Sequence, residues 1–140
     1  ELLEEAEISY RKSGLIDLEV RVVAFLHDVA AEMAAADLVI SRAGAITVAE
    51  ICAAGRAALL VPLALAGGHQ LAKAQRLKFS GGAEVLRPDM ADSETLAGML
   101  EKLLGNREHL QSMGETLRGL SWPGAAEAVA DLVHEAVEAR

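Results

Sequence analysis

Short apolar runs at residues 38–40 and 58–61 and a further candidate strand at 83–86 are separated from one another by helical stretches of about ten residues, and this alternation constrains the chain more than any other feature. A strand, a helix and a further strand joined this closely pair in parallel through a right-handed crossover. The fold class that follows is α/β, a doubly wound parallel sheet flanked by helices. In such sheets ligands sit beyond the carboxyl ends of the strands, so the loops at residues 25–28, 41–47 and 62–70 are the ones to inspect.

The remaining pattern extends this scheme. Residues 2–13 have helical spacing and meet Gly14 just after Arg11 and Lys12, residues suited to the negative end of a helix. Residues 18–25 alternate Leu18, Val20 and Val22 with polar neighbours before turning apolar, which predicts a strand entering a buried sheet. Helices are predicted over residues 28–35, from the turn at residues 42–45 to Gly55, and over 70–79, 93–104, 107–117 and 123–139, with Pro123 in the first turn of the last.

Composition narrows the functions available. At 140 residues the chain suits one domain. A formal net charge of −8 excludes binding of nucleic acid or anionic lipid by bulk electrostatics, so any phosphate must be held locally, by backbone N–H groups and a few placed cations. The single cysteine, Cys52, forms no internal disulfide and reads as a packed core residue. The longest apolar stretch, residues 57–66, is interrupted by Pro62 and falls short of the roughly 18 residues that a membrane helix needs. His27, His109 and His134 are far apart and lack metal-ligand spacing, so no metal and no cofactor is expected. The chain opens on Glu1 inside a helical pattern and is expected to belong to something longer.

The segment SRAGAITVAEICAAG at residues 41–55 carries most of the chemistry. Gly44 stands between a buried strand and a helix, where backbone approaches a ligand closely and the free N–H groups of Ala45 and its neighbours face outward, a setting for a diphosphate. Glu50 has two readings. It is placed to accept hydrogen bonds from both hydroxyls of a ribose, and Thr47 to Glu50 also spells a capping box, in which Glu50 satisfies a helix-end N–H. Arg42 is either a phosphate or base contact or a surface arginine, and Leu26 is either core or a loop residue offering its backbone. His69 and Gln70 begin a helix after a glycine loop, placed to meet sugar hydroxyls rather than to act as a general base.

The spacing of Gly44, Thr47, Glu50, Gly55, Pro62 and Gln70 resembles the donor-site signature of GT-B glycosyltransferases, and RAGAITVAE is similar to the peptidoglycan N-acetylglucosaminyltransferases among them. Phe25, Leu26 and Asp28 resemble a further segment of that family. The resemblance runs from about Val20 to Met90 and implies the Rossmann-like carboxyl-terminal half of a GT-B enzyme. It implies UDP-N-acetylglucosamine as donor, bound by Leu26, Arg42, Gly44, Ala45, Thr47, Glu50, His69 and Gln70, with Leu26 reading the uracil through its backbone and Glu50 holding the ribose. The acceptor would be a lipid-linked muramyl-pentapeptide, held by an N-terminal domain that also carries the catalytic base and makes the membrane contact, at the cytoplasmic face of a bacterial membrane.

On this reading residues 1–140 are a nucleotide-sugar-binding domain incomplete on its N-terminal side, with no catalytic residue of its own and a final helix packing toward the other domain. The sequence departs from the family pattern in places: Lys73 stands where an asparagine is expected, Ala66, Gly67 and Gly68 replace acidic residues before His69, and Ala57 replaces a proline. The rival readings are another GT-B transferase, acting on a glycolipid or natural product, and a non-catalytic nucleotide-sugar-binding module.

Overall fold

The computed structural model describes residues 2–12, 19–63 and 68–138. Along the chain run α1 (Leu2–Lys12), α2 (Val29–Ala35), β1 (Leu38–Ser41), α3 (Ala45–Ala54), β2 (Ala57–Leu60), α4 (His69–Phe79), β3 (Ala83–Val85), a 3-10 turn (Pro88–Met90), α5 (Ser93–Leu104), α6 (Arg107–Gly119) and α7 (Ala125–Glu138). The strands pair in parallel in the order β1-β2-β3. Both crossovers step the same way across the sheet, so a common handedness puts α3 and α4 on one face.

The central strand explains why the sheet is covered on both sides. All of β2 is buried, and its alternating side chains feed two cores. Ala58 and Leu60 pack with Ile51 and Cys52 of α3, Ala74 of α4 and Leu117 of α6, with Met33 of α2 against them. Ala57 and Leu59 pack on the opposite face with Leu103 of α5 and with Leu110 and Met113 of α6. Burying Leu59 and Leu60 completely contributes about 1.5–3 kcal/mol each. The sheet is thus doubly wound, with α6 reaching from one core to the other.

At the amino-terminal edge of the strands, helix ends are closed by arginines and a glycine. Gly55 ends α3 in the left-handed conformation (φ 62°), its N–H reaching the carbonyls of Ile51 and Cys52. Arg118 donates to the carbonyl of Ala54 at 2.9 Å, and Arg56 donates to that of Ala34 in α2. These guanidinium groups satisfy carbonyls that would otherwise be left without partners at helix C-termini.

Two expectations are corrected. Residues 19–28 form no strand: Val20, Val23 and Phe25 are exposed, with Phe25 at 71%, although Leu18 and Asp17 at the start of the predicted strand lie outside the described residues. Alternation makes a strand only where a neighbour offers its ladder, and this stretch has none among the described residues. Pro123 lies ahead of α7 rather than in its first turn, because Gly124 accepts the first bond, from the N–H of Ala128 at 3.0 Å. Gly14, the predicted end of the first helix, also lies outside the described residues.

Candidate functional site

The strands end level. Ser41 is in register with Leu60 and Leu60 with Val85, and the ladder continues one step past each pair, with Val61 N–H donating to Ser41 at 2.8 Å and Leu86 N–H to Leu60 at 2.9 Å. The connections that follow, beginning at Arg42, Val61 and Leu86, therefore leave from one edge. Pro62 is fully buried there and Ala43 nearly so, which fixes the first residues of two of these loops.

Helices α3 and α4 start at this edge on glycine caps, one extended (Gly44) and one left-handed (Gly68). Their N-caps are Gly44 and Gly68, and neither receives a side-chain capping bond. At α2, α5 and α6 the caps are supplied by side chains: Asp28 accepts from Ala31 N–H at 2.9 Å, Asp92 from Thr95 N–H at 2.7 Å, and Asn106 from His109 N–H at 3.0 Å. Among the described residues the leading N–H groups of α3 and α4 have no side-chain partner, on helix ends that carry partial positive charge, an arrangement suited to an anion.

Since α3 begins at Ala45, Thr47 is its third residue and Glu50 its sixth. The capping-box reading of Glu50 is therefore wrong. Gly44 takes the cap because the chain leaves β1 and is still extended at that point (φ −65°, ψ 149°), and Glu50 lies well inside the helix, exposed. It lines a groove of about 750 Å³ that runs from Ala45 past Val48, with Lys73 on α4 and Trp122 before α7 on its other walls.

Gln70, the second residue of α4, is half-buried, and its Oε1 accepts the backbone N–H of Leu63 at 3.0 Å. That bond ties the loop after β2 to the start of α4. His69 beside it is exposed, as is Arg42, which pairs with no acid among the described residues. Because α3 and α4 cover the same face of the sheet, Glu50 and Gln70 lie on one side of it. Leu26 is half-buried in the irregular segment before α2, next to the edge-to-face ring pair of Phe25 and His27, whose centroids are 5.1 Å apart. Cys52 is buried in the core, which pushes its thiol pKa up.

Some residues of this edge were not singled out from the sequence. Arg87, just past β3, makes a two-pronged pair with Asp89 at 3.0 Å on each arm, beside Pro62, Leu63 and Gly68 around a cavity of about 250 Å³. Its signal was positional: it follows the last residues of a parallel strand, the same rule that selects Arg42. Trp122 gave no such signal, because its place depends on how the segment after α6 returns over α3 and α4.

Comparison with known proteins bears on this geometry. The model of the glycosyltransferase family 28 C-terminal domain matches residues 1–135. A relative from Halorhodospira halophila, named UDP-N-acetylglucosamine–N-acetylmuramyl-(pentapeptide) pyrophosphoryl-undecaprenol N-acetylglucosamine transferase, is 45% identical over 95% of this chain and 37% of its own length. One of the same name from Phenylobacterium zucineum is 41% identical over 100% of this chain and 38% of its own. Among solved structures, the Acinetobacter baumannii MurG crystal structure superposes with a TM-score of 0.85 at 35% identity, covering 94% of this chain and 38% of that one. The glycosyltransferase VinC in complex with dTDP matches in fold, with a TM-score of 0.63 at 21% identity over 90% of this chain and 32% of its own. The chain thus spans well under half the length of these relatives. By the extent of these matches, the chain belongs to the glycosyltransferase family 28 C-terminal domain family.

Proposed function

We propose that this chain is the donor-binding part of an enzyme that transfers N-acetylglucosamine from UDP-N-acetylglucosamine to a lipid-linked muramyl-pentapeptide. The observation that carries this reading is the 45% identity, over 95% of the chain, to a transferase named for that reaction. The uncapped N-terminus of α3, in the segment of closest motif resemblance, supports it. In the reading, the N–H groups of Ala45 and Thr47 and the backbone at Gly44 receive the donor diphosphate, with Arg42 nearby as a counter-charge. Glu50 accepts the hydroxyls of the ribose, Leu26 reads the uracil through its backbone, and His69 and Gln70 meet the sugar.

The reaction forms a bond from an acceptor hydroxyl, the C4 hydroxyl of the muramyl sugar, to the anomeric carbon and breaks the bond from that carbon to the diphosphate. The electron pair leaves with UDP, and the hydroxyl proton goes to a base. We place that base, the acceptor pocket and the contact with the cytoplasmic face of the membrane in the part of the protein that corresponds to the rest of the relatives' length. The apolar face of α7, where Val129, Leu132, Val133 and Val137 are exposed, suits packing against that part. No helix among the described residues is long and apolar enough to cross a membrane.

The test is a transfer assay with the full-length protein, lipid-linked muramyl-pentapeptide and a panel of nucleotide sugars. Incorporation from UDP-N-acetylglucosamine, and none by the 140-residue chain alone, is the expected result, because one half of a cleft cannot bring two substrates together. Turnover of another donor or acceptor in its place would move the protein to a different glycosyltransferase activity.

A further inference from the structure

The α3–α4 groove contains one cation among its lining residues, Lys73, and one anion, Glu50. Its other walls are mainly aliphatic and aromatic. Lys73 is the fifth residue of α4, half-buried, and makes no ion pair with an acid among the described residues. Its neighbour Lys78, by contrast, is paired with Glu84 at 2.9 Å. An ammonium on a flexible stem, lying in a largely apolar groove and without an ion pair among the described residues, is suited to an anionic ligand. The groove also reaches Ala45, the first residue of α3, whose uncapped N–H end lies at the strand edge.

We propose that Lys73 is a second counter-charge, beside Arg42, for the diphosphate of a nucleotide bound along this groove, with the ribose at Glu50. This rests on the donor-site reading and deepens it by adding a side chain of α4 to the phosphate contacts. When the bond from the anomeric carbon to the diphosphate oxygen breaks, the electron pair stays on the departing nucleoside diphosphate. Lys73 then faces an added negative charge in a site partly shielded from water, and its attraction strengthens at the moment of transfer. The lysine itself exchanges no proton and forms no bond.

The experiment compares UDP with uridine, which has the same base and ribose but no phosphate, by competition against a fluorescent UDP on the full-length protein. Lys73→Met weakens UDP about ten-fold, the size of one charge-assisted contact, and leaves uridine unchanged, while Lys73→Arg restores UDP. The salt dependence of UDP binding is shallower in Lys73→Met than in the parent. Equal loss for UDP and uridine, or no loss for either, overturns the assignment, with melting curves confirming that each variant is folded. Glu50→Ala serves as the separate arm, since it weakens both ligands if the ribose lies at Glu50. If Glu50→Ala changes neither while Lys73→Met keeps its UDP-selective effect, the lysine assignment stands and the ribose assignment falls.

Discussion

The side-chain oxygen of Gln70 accepts the backbone N–H of Leu63 at 3.0 Å, so a residue at the start of α4 holds the loop that leaves β2. The bond uses the acceptor half of the amide and leaves its N–H₂ for a ligand. Two substitutions separate these roles. Gln70→Glu keeps an acceptor for Leu63, so it retains stability while weakening binding of UDP-N-acetylglucosamine. Gln70→Leu loses both, lowering stability by about 0.5–1.5 kcal/mol. Melting curves alongside donor titrations read the two effects.

A second prediction uses the uncapped end of α3. Gly44 has an extended backbone open to any residue, and a β-carbon there meets nothing nearer than Thr47 Oγ1 at 3.8 Å. Gly44→Asp therefore supplies the missing cap and stabilises the fold by a few tenths of a kcal/mol, on the order usual for replacing glycine at an N-cap. The same carboxylate competes for the N–H groups and repels phosphate, so UDP affinity falls at least about ten-fold. Higher stability with unchanged UDP binding would remove the phosphates from this helix end.

The amino-terminal edge of the sheet gives a stability test, with a control on α5. A β-carbon on Gly114 of α6 would lie 2.5 Å from the carbonyl oxygen of Gly55, a backbone atom with Arg118 packed over its turn. Gly114→Ala is expected to destabilise, because overpacking of about 1–3 kcal/mol outweighs a helix-propensity gain of up to about 1 kcal/mol. Gly98→Ala on α5 meets nothing within 4 Å and should stabilise by about 0.5–1 kcal/mol. Urea denaturation of both variants checks the opposite signs.

Acid should act on the cap of α5. The N–H and hydroxyl of Thr95 hold the Asp92 carboxyl below the usual aspartate value. A lowered folded-state pKa means that the contribution is present above the unfolded value of about 3.9 and is lost as pH falls through the folded one. The advantage of the parent over Asp92→Asn in melting temperature should therefore shrink in that acid range and stay constant near neutrality.

These features differ in how far they could be read from the sequence, for physical reasons. The strands around Val39 and Leu59 were legible because short apolar runs between helices have few other uses, and the one around Glu84 because it continues the same alternation after α4. The stretch through Val20 and Phe25 has the same alternation but no ladder partner among the described residues, and alternation does not reveal a partner. Thr47 and Glu50 match a capping box in letters, yet the cap belongs to whichever residue is still extended when the helix begins, and that is Gly44. The groove that joins Glu50, Lys73 and Trp122 depends on segments distant in sequence, which local pattern cannot bring together.

The central claim is that α3 presents Glu50 to the ribose of a uridine nucleotide, and calorimetric titration of UDP into full-length parent and Glu50→Ala tests it most directly. Glu50 is exposed in the interior of α3 and caps nothing, so the variant should keep its stability within about 0.5 kcal/mol. Loss of hydrogen bonds to a charged acceptor should weaken UDP by about 1.5–3 kcal/mol, roughly ten- to hundred-fold in Kd. An unchanged Kd for UDP in a folded Glu50→Ala protein would contradict the account.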